Sequence, residues 1–413
     1  MLKNIENALS PEACKYLREI EKADIMVGIP AYNNVLTAAY VLSQVVQGLV
    51  TYFPNMKSVI FVSDGNSVDR TMTAVKTVQL PHKLELIPAV YVGVSGKGSA
   101  VKAIFEAAKL LDAKAVALVD SDLRSITPEW IKLLISPVLN GTGLVTPFYS
   151  RRKYDGAITD FLCYPITFSL YGKDIRQPIG GDFGLSIDLI QELVGSSLWK
   201  LNYVREFGVD IFETSTALAK GFEVKQAFLG VKEHNPKDPV TQLAPMFKQV
   251  VGTMFSCIER YEEYWKDISG DTCKVEMIGK ERHIENHLTV PVDPLNAIRS
   301  HKNNFDNNRK IYSTLLSNEI YTEFEELKNL DKKDIALAPE TWAKTVYLFI
   351  AGFKRAKAAE REGLLEALRI LWIGKVATFI KETLIMDAKE AEEKVKEEAK
   401  VFAELRHFLL DLF

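Results

Sequence analysis

The chain has 413 residues, 47% hydrophobic and 25% charged, with a formal net charge of -3. That length exceeds what one core usually takes and predicts two domains. The charge balance leaves no electrostatic case for nucleic-acid binding. The widely spaced Cys14, Cys163, Cys257 and Cys273 form no C-x-x-C pair, which excludes a zinc site or disulfide frame and predicts reduced cytosolic thiols.

No basic-then-apolar leader opens the chain, and charge cuts every apolar segment before about 18 residues, so neither a signal peptide nor a transmembrane helix is predicted. Ile5, Leu9, Ala13, Leu17 and Ile20 recur at helical spacing over residues 4–22. Ser10-Pro11 either breaks this helix or restarts it, with Ser10 as cap and Pro11 at the first helical position. Ile25 to Ile29 reads as a buried strand ending in Pro30-Ala31-Tyr32-Asn33-Asn34, and a helix is expected from Leu36 to Tyr52. Val59 to Val62 is a second strand, ending in Ser63-Asp64-Gly65, with a helix over Thr71 to Gln79. One or two extended pieces follow at Leu84–Ile87 and Val90–Val92. Gly96-Lys97-Gly98 then opens a helix from Ser99 to Leu111. Ala115 to Val119 is an apolar strand that stops at Asp120-Ser121-Asp122. This alternation of strand and helix predicts an α/β fold with a mostly parallel sheet.

After Asp122 the pattern loosens. Thr127-Pro128-Glu129 starts a helix, Val145 to Tyr149 is a strand, and Ser150 to Asp155 carries Arg151, Arg152 and Lys153. An apolar helix over Ala157 to Tyr171 leads into Gln177-Pro178-Ile179-Gly180-Gly181-Asp182. Val209 to Lys220 is helical and Val224 to Gly230 is a late strand before His234. Residues 1–244 are therefore assigned to the α/β domain and 245–413 to an α-helical domain. The latter's helices are expected over Pro245–Trp265, Glu340–Lys357, Gly363–Ile385 and Asp387–Leu412, and Asp293–Asn308 reads as a polar loop. Its Trp-rich helices suit either a homodimer interface or a second core.

Ligands of open α/β sheets bind at the carboxyl ends of the strands. There, two acids at i and i+2 suit a hard divalent cation, and equally an ordinary turn. Two nucleotide motifs fail: no glycine stands five residues before Gly96, as a P-loop needs, and no Gly-x-Gly-x-x-Gly follows the first strand.

Pro30-Ala31-Tyr32-Asn33-Asn34, Ser63-Asp64-Gly65, Gly96-Lys97-Gly98 and Asp120-Ser121-Asp122, in this order and each at a strand end, resemble the nucleotide-sugar half of a GT-A glycosyltransferase. Thr127 to Ile131, Arg151 to Thr159, Gln177 to Asp182, Phe207-Gly208-Val209-Asp210 and His234 are similar to the matching regions of the mannosylglycerate synthase family. The Gln-Pro-x-x-Gly-acid motif and late histidine also resemble the glucosyl-3-phosphoglycerate synthase family. The resemblance spans residues 25–265. It implies a GT-A, Rossmann-like nucleotide-sugar domain with a helical C-terminal region.

The resemblance also implies roles. Pro30, Asn34, Ser63, Asp64, Lys97 and Asp120 bind the donor, with Lys97 at the diphosphate. Asp122 and His234 ligate the metal, with Asp120 shared between ribose and metal. Arg151, Asp155 and Thr159 hold the acceptor, and Asp182 and Asp210 face the donor sugar as catalytic acids. His234 also reads as a turn residue before Asn235-Pro236, and Asp155 as a helix cap. Two departures stand out. Ala157 replaces an arginine of the phosphoglycerate family, and Asp182 replaces the usual glutamate.

The expected reaction is retaining transfer of glucose or mannose from UDP-glucose or GDP-mannose to D-glycerate or a related 2-hydroxy acid. It would use Mg²⁺ or Mn²⁺ and give a compatible solute in the cytoplasm. The alternatives are 3-phosphoglycerate as acceptor and a catalytically silent sugar-nucleotide sensor. A polysaccharide synthase module would need an adjacent membrane segment.

Overall fold

The computed structural model describes residues 7–233, 243–268, 272–280, 293–330 and 336–413. Within them the chain divides into two compact units. The first draws on Met1–Ser150, Arg176–Asn235 and Val275–Glu285, the second on Arg151–Ile175, Pro236–Lys274 and Asn286–Phe413. In chain order the strands are β1 (Ile25–Ala31), β2 (Ser58–Asp64), β3 (Leu84–Val90), β4 (Ala115–Leu118) and β5 (Leu144–Ser150). Then come β6 (Lys173–Asp174), β7 (Phe183–Ser186), β8 (Val224–Val231), β9 (Cys273–Lys274) and β10 (Met277–Ile278).

The first unit holds an eight-stranded sheet of order β10-β8-β5-β7-β4-β1-β2-β3. It is parallel except at β7, which runs antiparallel to both β4 and β5. Every residue of β1, β2 and β4 is buried. Helices on both faces demand that, and it explains why these strands read as unbroken apolar runs. Ile25, Val27 and Ile29 pack with Val41, Leu42 and Val45 of the helix Ala38–Tyr52 and with Ile131 and Leu134 of the helix Pro128–Leu139. Ser10 accepts from the Ala13 N–H and Pro11 begins the first helix, so that segment starts at Pro11.

β7 is the element that sequence reading did not resolve. Four residues after two glycines are too few to show alternation. Its direction matters for the site. Leu118 at the end of β4 pairs with Phe183 at the start of β7. The residue before β7, Asp182, therefore arrives beside the residues just after β4.

The second unit is mainly helical. Its longer helices are Ala244–Arg260, Pro294–Phe305, Pro339–Arg355, Ala358–Thr383 and Ala388–Glu404, and β6 pairs with β9. Trp265, Trp342 and Trp372 are buried within it, so these tryptophans build a core. The expected polar loop at Asp293–Asn308 is a helix instead. Asp293 caps it by accepting from Leu295 N–H, Pro294 stands at its first turn, and Ala297, Ile298, His301 and Phe305 are buried along one stripe. The apolar helix after Ala157 contains a π-helical turn at Thr159–Cys163 before continuing as Tyr164–Leu170. Trp342 Nε1 donates to the Phe161 carbonyl at 2.9 Å, inside this turn. Among the described residues no helix is long and apolar enough to cross a membrane.

Candidate active site

The helix Lys97–Leu110 begins at Lys97 itself, two residues earlier than its periodicity predicts. Gly98 permits this start. A Cβ there would lie 1.9 Å from the Val204 carbonyl oxygen, so only glycine lets the helix end sit on that backbone. Tyr91 fixes the preceding loop by accepting the Gly96 N–H at 2.9 Å. The Lys97 ammonium lies 2.9 Å from Asp120 Oδ1 and 3.2 Å from Asp210 Oδ1, with its side chain 11% exposed. Burial opposes the Lys97 charge, but the Asp120 and Asp210 carboxylates outweigh it and raise the ammonium above its ordinary range. Asp210 Oδ2 accepts from the Gly180 N–H at 3.3 Å.

Asp120 is held from both sides. Its Oδ2 meets the Lys232 ammonium at 2.9 Å while Lys97 takes Oδ1. Burial disfavours its ionisation, yet Lys232 and Lys97 together hold the carboxyl well below the usual carboxylate range. Gly181, at φ +86°, lies flat against this group: a Cβ there would stand 1.9 Å from Asp120 Oδ2. That accounts for the second glycine of Gly180-Gly181.

Asp182 is fully buried and braces its neighbours. Its Oδ1 accepts the Asp120 N–H at 2.8 Å, and its Oδ2 accepts from the Tyr149 hydroxyl and from Lys232 at 3.0 Å. Burial pushes this carboxyl up; Lys232 pulls it back and the Asp120 charge adds to the rise. Lys232 also donates to the Gly180 carbonyl at 2.6 Å and lies 5.2 Å from the Tyr149 ring centre. The structure thus brings Lys97, Asp120, Asp182 and Asp210 into one cluster, with Lys232 at its base.

The donor-side loops are knitted by short side-chain turns. Asp64 is buried, with its carboxylate accepting the Ser67 N–H at 2.9 Å and the Ser67 hydroxyl at 2.6 Å. Asn34 Oδ1 accepts from Tyr32 N–H at 3.0 Å and from the Ser121 hydroxyl at 2.7 Å, tying the end of β1 to the Asp-Ser-Asp turn. Thr37 reinforces that tie by donating to the Ser121 carbonyl at 2.7 Å. Pro30 pairs with Ser63 across β1 and β2. The Ser63 hydroxyl is buried without a hydrogen-bond partner among the described residues.

The expected metal ligands part company. Asp122 is half-buried, and its carboxylate makes no hydrogen bond or ion pair among the described residues. An uncommitted carboxylate at this strand end suits a hard cation. Asp120 does not stand open in the same way, because two ammoniums already take its oxygens. His234 lies outside the described residues. Among those described, no group of three His, Cys, Asp or Glu stands close enough to hold a metal ion.

The expected acceptor residues belong to the second unit. A Cβ on Gly156 would lie 3.2 Å from Arg151 Nη1 and 3.8 Å from Thr159 Oγ1, so these two side chains converge on one spot. Thr159 opens the π-helical turn, a feature common at functional sites. Asp155 is half-buried, and its N–H donates to the Arg152 carbonyl at 3.0 Å. Lys153 is committed elsewhere in the unit. It donates to the carbonyls of Thr383, Leu384 and Met386 at the end of the helix Ala358–Thr383.

The chain is similar to a glucosyl-3-phosphoglycerate synthase. It is 23% identical over 319 residues to that enzyme from Petrotoga mobilis, an alignment covering 71% of this chain and 93% of the relative. No family model matches the chain. Among solved structures, one of glucosyl-3-phosphoglycerate synthase from Mycobacterium tuberculosis with Mn²⁺, UDP and phosphoglyceric acid gives a TM-score of 0.45 at 20% identity, over 70% of this chain and 93% of the other. The same enzyme with Mn²⁺, UDP-glucose and phosphoglyceric acid gives 0.44 at 21% identity, with the same coverage.

Three polar residues of the first unit escaped sequence reading. Lys232 is a single lysine after a late strand, Tyr149 looks like strand packing, and Glu213 looks like any helical glutamate. The available signal for Lys232 was its place at a strand end two residues before His234.

Proposed function

We propose that the protein is a retaining hexosyltransferase that moves glucose or mannose from a nucleoside diphosphate to D-glycerate or a related 2-hydroxy acid. The observation that carries this reading is the buried cluster at the carboxyl ends of the sheet, where Lys97 at a helix start stands against Asp120 and Asp210. The similarity to the Petrotoga mobilis synthase supports hexosyl transfer to a glycerate-type acceptor, without choosing between the free and the phosphorylated acid.

In the proposed reaction the acceptor hydroxyl oxygen bonds to the anomeric carbon as the bond to the diphosphate oxygen breaks. The hydroxyl proton passes to the departing phosphate oxygen, on the same face of the sugar. Lys97 and the positive end of its helix stabilise the charge that grows on the diphosphate. Pro30, Asn34, Ser63 and Asp64 line the nucleoside, and Asp210 takes the donor sugar hydroxyls. Asp182 acts through Asp120, which it orients by accepting its N–H. A divalent Mg²⁺ or Mn²⁺, held by Asp122 and His234, would neutralise diphosphate charge. Arg151 matches an acceptor carboxylate with a two-pronged guanidinium, while Thr159 and Asp155 suit the acceptor's hydroxyls. A cytoplasmic setting fits the four free thiols.

Transfer to 3-phosphoglycerate is the second reading, favoured by the relative's name. Unphosphorylated glycerate is preferred because Lys153 is committed to three carbonyls and position 157 carries alanine. UDP-glucose and GDP-mannose, each offered with D-glycerate and with 3-phosphoglycerate in Mn²⁺ and Mg²⁺, separate these readings by release of nucleoside diphosphate. Turnover with D-glycerate supports the first and turnover with 3-phosphoglycerate alone supports the second. Tight nucleotide-sugar binding without release of diphosphate would replace both with a sensor.

A further inference from the structure

Glu213 lies on the helix Val209–Ala219, which packs against the helices Lys97–Leu110 and Ile187–Val194 and against β5. It is fully buried, and neither carboxyl oxygen has a hydrogen-bond partner among the described residues. A buried carboxyl without a partner is costly and marks a place where a second arrangement is available. Glu213 stands three residues after Asp210, on the same helical face, where side chains reach one another. The helix start is itself fixed, since Thr214 donates to the Pro178 carbonyl at 2.7 Å and Asp210 accepts from Gly180 N–H.

Among the described residues Asp210 pairs with one cation. Lys97 lies 3.2 Å away and is shared with Asp120. Asp120 retains Lys232 if Lys97 moves, at 2.9 Å. Asp210 would retain the Gly180 N–H and no other partner among the described residues. We propose that Glu213 is a positioning residue for Asp210: when a nucleoside diphosphate draws Lys97 away, the Glu213 carboxyl turns and donates its O–H to the Asp210 carboxylate. This inference rests on the nucleotide-sugar reading of the cluster. Burial, with the Asp210 charge adding to it, pushes Glu213 well above the usual carboxylate range, which favours the protonated form that can donate. An O–H to carboxylate bond is among the stronger hydrogen bonds. It would keep Asp210 aimed at the donor sugar after its lysine has left.

The test compares Glu213→Gln, which keeps a donor and cannot ionise, with Glu213→Leu, which keeps the volume and has none. The full chain is assayed with the nucleotide sugar that the wild type turns over, and affinity for its nucleoside diphosphate is measured by calorimetry. The Leu variant should lose kcat by about tenfold to a hundredfold. Its diphosphate affinity should stay within about threefold, and its melting temperature should match or exceed the wild type, since a buried carboxyl has gone. The Gln variant should keep kcat within about threefold. A purely structural glutamate predicts a Leu variant as active as the wild type, and that result overturns the proposal. A kcat loss beyond about tenfold in the Gln variant also overturns it, whatever the Leu variant does. A wild type that binds no nucleotide sugar removes the functional reading and this inference with it. Normal wild-type turnover with an indifferent position 213 removes this inference alone.

Discussion

Replacing Lys232 with methionine removes the cation at the base of the cluster while keeping most of the side-chain volume. Three interactions go at once: Asp120 at 2.9 Å, Asp182 at 3.0 Å and the Gly180 carbonyl at 2.6 Å, from a side chain only 8% exposed. Taking one partner from a buried ion pair costs about 3–5 kcal/mol. Two features of the structure favour the lower end. Lys97 still pairs with Asp120, and Asp182 can take up a proton because burial already pushes its carboxyl upward. At about 2–4 °C per kcal/mol for a unit of this size, a loss of about 3 kcal/mol lowers the melting midpoint by about 6–12 °C near neutral pH. The loss should depend on pH in a definite direction. Asp182 has a folded value above its unfolded 3.8, so its protonated form stabilises fully below that value and the contribution disappears as pH rises through the folded value. Without Lys232 the folded value climbs further, so the deficit widens from about pH 5 to about pH 8. Calorimetric melts of Lys232→Met and wild type across that range make the test. A variant melting within about 2 °C of wild type at neutral pH, or a deficit that grows on acidification, refutes the reasoning.

Asp122→Ala should leave the melting midpoint within about 2 °C, because Asp122 has no partner to lose among the described residues. Its turnover should fall by about a hundredfold or more. Lys97→Ala should weaken nucleoside diphosphate binding by roughly tenfold to a hundredfold in calorimetry, the worth of a charged hydrogen bond. The same variant should unfold at a higher pH than wild type on acid titration. Asp120 sits below 3.8, so its stabilisation is present above that value and lost as pH falls through the folded one, and losing Lys97 raises that threshold. Gly181→Ala should destabilise by roughly 1–3 kcal/mol in urea titrations, since φ is +86° and the new methyl would meet Asp120 Oδ2 at 1.9 Å.

Much of the cluster was legible because polar residues that end a buried strand or start a helix stand out against the apolar run beside them. Lys97, Asp120 and Asp210 are of this kind, whereas Asp182 was picked out only by the Gln-Pro-x-x-Gly-acid resemblance; the structure brings all four together. Lys232 was not, because one lysine after a strand resembles a solvated terminus until the chain crossing is known. The crossing depends on β7, which is too short to carry a period. Glu213 was hidden for another reason: a glutamate one turn into a helix is ordinary, and only full burial makes it informative. In the helical unit, Pro294–Phe305 was lost because its apolar stripe is diluted by three asparagines, an arginine and a lysine. The expected continuous helix over Asp387–Leu412 breaks into Ala388–Glu404 and Arg406–Leu412 around Leu405, with no proline or glycine to mark the break.

The most direct test of the account is the proton spectrum of whatever forms when the protein, Mn²⁺, D-glycerate and UDP-glucose or GDP-mannose are incubated together. The account predicts a hexosylglycerate whose anomeric configuration matches that of the donor, formed in step with free UDP or GDP. An inverted anomer, free hexose alone, or an unchanged donor with both D-glycerate and 3-phosphoglycerate would contradict it.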